Sequence, residues 1–131
     1  MKKLLETYKN KGLTLGSVES MTGGLFAAKF TAIPGSSKVF KGSIVTYATE
    51  EKINIVGVKK ETVEKYSVVS EEVAKEMAEK GRELLNVDVC VSVTGNAGPT
   101  CEPGGKPAGF FCLAISTENE TFSKNYQISK I

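Results

Sequence analysis

The chain has 131 residues, 40% of them hydrophobic, with a formal net charge of +2 and no histidine. That length supports one compact α/β unit spanning residues 1–131 and is too short to divide comfortably in two. Basic residues spread along the chain without interleaved aromatics argue against a nucleic-acid surface, no apolar run approaches membrane-spanning length, and the missing imidazole removes the commonest general base and metal ligand.

Leu4, Leu5 and Tyr8 recur at helical spacing over residues 2–11, with Gly12 placed to end the helix. Residues 13–18 read as a strand and residues 22–32 as a helix that buries Leu25, Phe26, Ala28 and Phe30. Where the two meet stands Glu19-Ser20-Met21-Thr22-Gly23-Gly24. Small hydroxyls at a strand-to-helix turn face the unpaired N–H groups that open a helix, a natural place for an anion or a developing oxyanion. A plainer reading makes Ser20 or Thr22 an N-cap and gives Gly23 and Gly24 a packing role only.

Residues 39–48 read as a second strand, with Gly42 and Ser43 marking a bulge or close approach and Tyr47 at the far end. Residues 49–56 suit a short helix ended by Gly57, which sets Lys52 one turn beyond the strand tip. After a further short helix at 60–66, Ser70 opens the longest one, residues 71–85. There Val73, Met77, Leu84 and Leu85 share a face, while Ala74, Ala78 and Gly81 allow close approach.

A third strand at 87–93 runs into Thr94-Gly95-Asn96-Ala97-Gly98-Pro99, and the glycine-rich loop continues through Gly104-Gly105-Lys106-Pro107 to about Gly109. Residues 108–117 and 120–128 form a β-hairpin around Glu118-Asn119-Glu120. A domain ending on a strand leaves one sheet face or edge for something else to cover.

A serine hydroxyl attacks an amide only when a neighbour takes its proton, and without histidine the candidates are Lys, Tyr, Asp and Glu. Tyr47 and Lys52 follow the next strand, so if the first two strands are neighbours both residues reach the edge that holds Ser20. As a base, Lys52 needs a pKa well below its ordinary ~10.4. Otherwise it is a solvated lysine, and Tyr47 a plain strand aromatic. Sixteen of the seventeen basic residues are lysines and only Arg82 is an arginine, so a bound phosphate must rely on lysine and backbone N–H groups. Cys90 and Cys112 lie in apolar strand runs and Cys101 in the loop. Dispersed and odd in number, the three read as reduced thiols, match no zinc spacing and leave only Cys101 as a reactive candidate.

Six ordered blocks resemble the CinA C-terminal domain family: Gly12-Leu13-Thr14-Leu15, the Glu19 to Gly24 turn, Pro34-Gly35-Ser36-Ser37, Tyr47 with Lys52, Val69-Ser70-Glu71-Glu72-Val73-Ala74, and Thr94 to Pro99 with Lys106-Pro107-Ala108-Gly109. The resemblance covers nearly the whole chain. It implies a three-layer α/β/α domain with a mixed sheet, and hydrolysis of the carboxamide of nicotinamide mononucleotide to nicotinate mononucleotide and ammonia, without a cofactor or metal. It assigns Ser20 as nucleophile with Tyr47 and Lys52 as its activating partners. Substrate contacts fall to Glu19, Met21, Thr22, Gly23 and Gly24 and to Thr94, Gly95, Ala97 and Gly98.

The family commonly has cysteine at position 21 and serine and asparagine at 48 and 49, where this chain has Met21, Ala48 and Thr49. Its members continue past the last strand into a Gly-Asp-Arg pattern and a closing helix, so the resemblance implies that a phosphate-binding arginine and a covering helix are missing here. A cytoplasmic homo-oligomer acting on a pyridine mononucleotide is the expected setting, with neither nucleic acid nor membrane as partner. The rival is a nucleotide-binding or assembly module that has lost turnover. A third reading leaves the glycine loops a packing role alone.

Overall fold

The computed structural model describes residues 1–101 and 105–128; Gly104 of the expected loop and the chain end at Ile131 lie outside them. Helix α1 (Lys2–Lys11) ends at Gly12, whose φ of 69° is the left-handed conformation that glycine adopts without a Cβ penalty. Then follow β1 (Leu15–Glu19), α2 (Leu25–Thr31), β2 (Phe40–Val45), α3 (Thr49–Glu51), a wide π-helical turn (Lys52–Val56), α4 (Lys60–Tyr66), α5 (Glu71–Leu85), β3 (Val89–Gly95), β4 (Phe110–Ser116) and β5 (Thr121–Gln127).

The strands form one mixed sheet in the order β2-β1-β3-β4-β5, parallel across its first three strands and antiparallel across the last two pairs. The carboxyl ends of β1, β2 and β3 therefore share an edge. Chain direction across the sheet reverses between β1 and β3, the place where open α/β sheets present a crevice to ligands. The irregularity expected at Gly42 is present: Leu15 pairs with Phe40 and Gly16 with Gly42, so Lys41 is skipped.

Helix α5 covers one face. Ser70 caps it, its Oγ accepting from the Val73 N–H at 3.1 Å. Val73, Ala74, Met77, Ala78 and Gly81 are buried against Val18, Cys90, Cys112 and Ala114. Leu84 departs from the expected face: α5 turns it away from the sheet, and it is 55% exposed. On the other face, α1 and α2 cover β2, β1 and the start of β3 through Leu5, Phe30, Phe40, Leu15 and Val89. Only Phe30 of α2 is fully buried, and Leu25 and Ala28, expected inside, are exposed. Among the described residues the second helical layer is thus partial. Ile115, Phe122 and Tyr126 stand on its uncovered side over β4 and β5, at 43%, 57% and 39% exposure.

Two element bounds differ from the sequence reading. Helix α2 starts at Leu25 instead of residue 22, because Gly23 and Gly24 take φ of 62° and 99° and wind residues 21–24 into a turn. The helix read over 49–56 breaks after one turn, where the Lys52 carbonyl accepts both the Gly57 and Val58 N–H groups at 3.1 and 3.0 Å. Gly57, at φ 93°, closes that wide turn.

Candidate active site

Strand β1 ends by handing Glu19 and Ser20 to the shared edge. Both are sealed, at 1% and 5% exposure. The Glu19 carboxylate accepts the Phe26 and Ala27 N–H groups at 3.0 Å each, the Thr22 hydroxyl at 2.8 Å, and the Ser43 and Ser17 hydroxyls at 3.0 and 3.2 Å. It caps α2 from the preceding strand, with its charge at the positive helix end. Burial pushes the Glu19 carboxyl up, but the bonds from Thr22, Ala27, Phe26 and Ser43 outweigh it and hold the group below its ordinary range. With both oxygens occupied, Glu19 and the Thr22 hydroxyl hold the turn together.

Ser20 Oγ accepts a hydrogen bond from Lys52 Nζ at 2.9 Å, and Lys52 also donates to the Thr46 carbonyl at 2.7 Å. The parallel pairing of β1 with β2, Glu19 opposite Val45, carries Thr46 alongside the nucleophile turn. The wide turn beyond α3 then folds the lysine back beneath it. Lys52 is 2% exposed, and burial lowers its pKa to about 8 despite the opposing pull of Glu50.

Tyr47 stands apart. It is 77% exposed and forms no hydrogen bond with Ser20 or Lys52. The hydroxyl-amine contact is therefore direct, without a phenol between the two groups. The Thr46 carbonyl, which orients the amine, left no signal in the sequence because any residue offers one.

The Gly23 N–H is taken by the Ser20 carbonyl at 3.0 Å. Among the described residues the Met21 and Thr22 N–H groups, which follow Ser20 in the turn, donate to nothing. Gly95 arrives from β3 so closely that a Cβ there would meet Met21 Cε at 2.9 Å and Phe111 Cβ at 2.5 Å. Thr94 is buried and donates to the Val68 carbonyl at 3.0 Å. Asn96 organises the loop beyond: its Oδ1 accepts the Gly98 N–H at 2.8 Å, and its Nδ2 donates to the Lys106 and Thr100 carbonyls at 2.9 and 3.0 Å. Ala97 and Gly98 thus lie in a pinned loop on the same edge as Ser20.

Two hollows lie near the residues of this edge. One, of about 300 Å³, is apolar and lies against Met21, Thr22, Phe26, Val93 and Phe111 on the open sheet face. The other, of about 350 Å³, has mixed polar and apolar walls and lies between Thr49, Val68, Gly95 and Lys106. Ser20 and Lys52 line neither.

Over residues 1–130 the chain matches the family model described as CinA C-terminal domain. It belongs to the CinA C-terminal domain family. A CinA-like protein of Fervidobacterium nodosum is 45% identical over 115 residues, 88% of this chain and 28% of that one. A CinA-like protein of Flavobacterium psychrophilum is 40% identical over 120 residues, 92% of this chain and 29% of that one. The chain thus spans under a third of the length of these curated relatives. Among solved structures, a competence or damage-inducible protein of Enterobacter asburiae superposes with a TM-score of 0.95 at 32% identity, covering 98% of this chain and 80% of that one. This CinA-family fold is the mixed α/β sheet expected from the sequence.

No helix among the described residues is long and apolar enough to cross a membrane, and no three Cys, Asp or Glu side chains there are placed to hold a metal ion. Burial raises the Cys90 and Cys112 thiols to about 12 and about 11, so neither is a ready thiolate. Cys101 is exposed, and its thiol donates to the Lys106 carbonyl at 3.1 Å.

Proposed function

We propose that this chain is a hydrolase of the carboxamide of nicotinamide mononucleotide, with Ser20 as nucleophile and Lys52 as its general base. The observation that carries this reading is the 2.9 Å contact between Ser20 Oγ and a buried amine whose pKa lies near 8. Neutral Lys52 takes the hydroxyl proton as Ser20 Oγ bonds to the amide carbon. The carbonyl oxygen becomes an oxyanion, met by the Met21 and Thr22 N–H groups. Protonated Lys52 returns that proton to the departing nitrogen, releasing ammonia and leaving an acyl-enzyme, which water hydrolyses to the nicotinate nucleotide and free Ser20. Tyr47, exposed on the rim, serves the substrate's approach in this scheme instead of the proton transfer. A cytoplasmic homo-oligomer acting on a pyridine mononucleotide is the setting that goes with it.

Ammonia release from nicotinamide mononucleotide tests the proposal. Ser20→Ala and Lys52→Ala should each lower turnover by about 10²-fold or more, the scale of a lost nucleophile or general base. Unchanged turnover in both would remove the mechanism. The sealing of Ser20 and Lys52 favours one competitor, a module that binds the nucleotide without turning it over. Calorimetric binding with no product after prolonged incubation would select that module.

A further inference from the structure

The residue before the nucleophile carries a buried charge with no cation beside it. Glu19 is 1% exposed, and the only ion pair among the described residues joins Lys60 to Glu64. A carboxylate taken out of water without a counter-ion is costly unless hydrogen bonds replace its hydration. Here every neighbour is a donor. Oε1 accepts the Phe26 N–H and the Thr22 hydroxyl, and Oε2 accepts the Ala27 N–H and the Ser43 hydroxyl, with Ser17 Oγ 2.7 Å from Ser43 Oγ behind it. Each oxygen thus faces one backbone N–H. A carboxamide in the same place sets its NH2 group against one of those N–H groups whichever way it is turned, so only a carboxylate fits.

The same residue is tied to both halves of the contact between Ser20 and Lys52. Its peptide continues directly into Ser20, and its carbonyl accepts the Thr46 N–H at 2.8 Å. The Thr46 carbonyl receives Lys52 Nζ at 2.7 Å, and that nitrogen donates to Ser20 Oγ at 2.9 Å. The side chain adds a third anchor, fixing this point to the first turn of α2 through Phe26 and Ala27 and to the turn itself through Thr22. A reacting group displaced by about 1 Å loses on the order of 10²-fold in rate, so such anchoring bears on catalysis as well as on stability.

We propose that Glu19 is a positioning residue of the reaction, its carboxylate locking the nucleophile turn to α2 so that Ser20 Oγ stays in contact with Lys52 Nζ. The inference rests on the Ser20 and Lys52 reading above and deepens it.

The test is Glu19→Gln in the full chain, which keeps the size of the side chain and removes one acceptor oxygen. With nicotinamide mononucleotide as substrate, kcat should fall about tenfold or more while KM stays within about twofold. A raised KM with kcat unchanged would mark Glu19 as a substrate contact and overturn the assignment, as would no change in either constant. Because the exchange also disturbs the α2 cap, Thr22→Val is the second variant. It deletes one donor to Oε1 and leaves the carboxylate and both backbone bonds in place, so kcat should fall several-fold and Thr22→Ser should restore it; an unchanged kcat in Thr22→Val overturns the assignment. Thermal unfolding of each variant separates these results from misfolding. A further readout needs no amide turnover: sulfonylation of Ser20 by phenylmethanesulfonyl fluoride should slow in parallel in both variants. A chain that releases no ammonia yet labels at Ser20 more slowly without the Glu19 carboxylate keeps the positioning role and loses the mononucleotide reading. Equal labelling of the native and Glu19→Gln chains overturns the positioning role, and neither labelling nor ammonia release removes both.

Discussion

An ammonium taken out of water gives up hydration that two hydrogen bonds only partly replace, and Lys52 therefore loses its proton near 8 instead of near 10.5. The sign of the consequence follows from which form acts. If neutral Lys52 receives the Ser20 proton, kcat/KM rises with pH and levels off above an apparent pKa of about 8; a pH profile flat from 6 to 9 would contradict that role. Stability moves the same way. Between about 8 and 10.5 the unfolded chain binds a proton at Lys52 that the folded chain does not, so unfolding free energy gains up to roughly 3 kcal/mol from this group as pH rises. Below 8 the penalty is fully present. Urea titrations at pH 7 and pH 10 should show that increment in the native chain and lack it in Lys52→Met. Glu19 obeys the opposite rule: its lowered pKa contributes stability above the unfolded value, lost as pH falls through the folded one.

At the scale of elements, the position of α5 decides where β1 ends and hence where Ser20 stands. Gly81 lets the helix approach so closely that a Cβ there would lie 2.3 Å from Val18 Cγ2 and 2.9 Å from Cys90 Sγ, both on fully buried residues. Val18 immediately precedes Glu19 and is stiff at its branch point, so the neighbour does not yield cheaply. Gly81→Ala should cost about 2 kcal/mol in urea unfolding despite alanine's better helix propensity, since overpacking outweighs it. A gain in stability would show that α5 sits farther out. The wide turn beyond α3 has a comparable part in placing Lys52: one residue more than an α-helical turn holds is drawn into the loop of backbone around its carbonyl. Such π-helical turns recur at functional sites.

For the whole molecule, the incomplete second layer matters most. Alternation along β4 and β5 sends Cys112, Ala114, Ser123 and Asn125 towards α5 and leaves Leu113, Ile115, Phe122, Lys124 and Tyr126 on the other face, where no described helix lies. Exposed apolar surface of this kind, broken here by Lys124 over the Tyr126 ring, marks contact with another body. Phe122→Lys should lower self-association in sedimentation velocity while changing unfolding free energy by under about 1 kcal/mol, because the ring is already 57% exposed. Unaltered sedimentation would place any association on a different surface.

Much of this was legible in the sequence, because it follows from local rules. Periodicity alone locates α1, α5 and the hairpin, the absence of histidine directs attention to lysine, and the hydroxyl turn after β1 marks the edge to inspect. The sequence could not divide the six-residue turn by task, since Ser20 and Glu19 look equally polar until one is set against an amine and the other against the N-terminus of α2. Nor could it separate Tyr47 from Lys52. Both follow the same strand, and only the path of the backbone beyond Val45 buries the amine and leaves the phenol outside. Chain order and residue type thus determined which elements form and which chemistries were available. Burial and distance between residues 32 positions apart were decided by strand pairing and helix packing, because desolvation, which sets the charge of Lys52, is a property of what surrounds a group and not of the group itself.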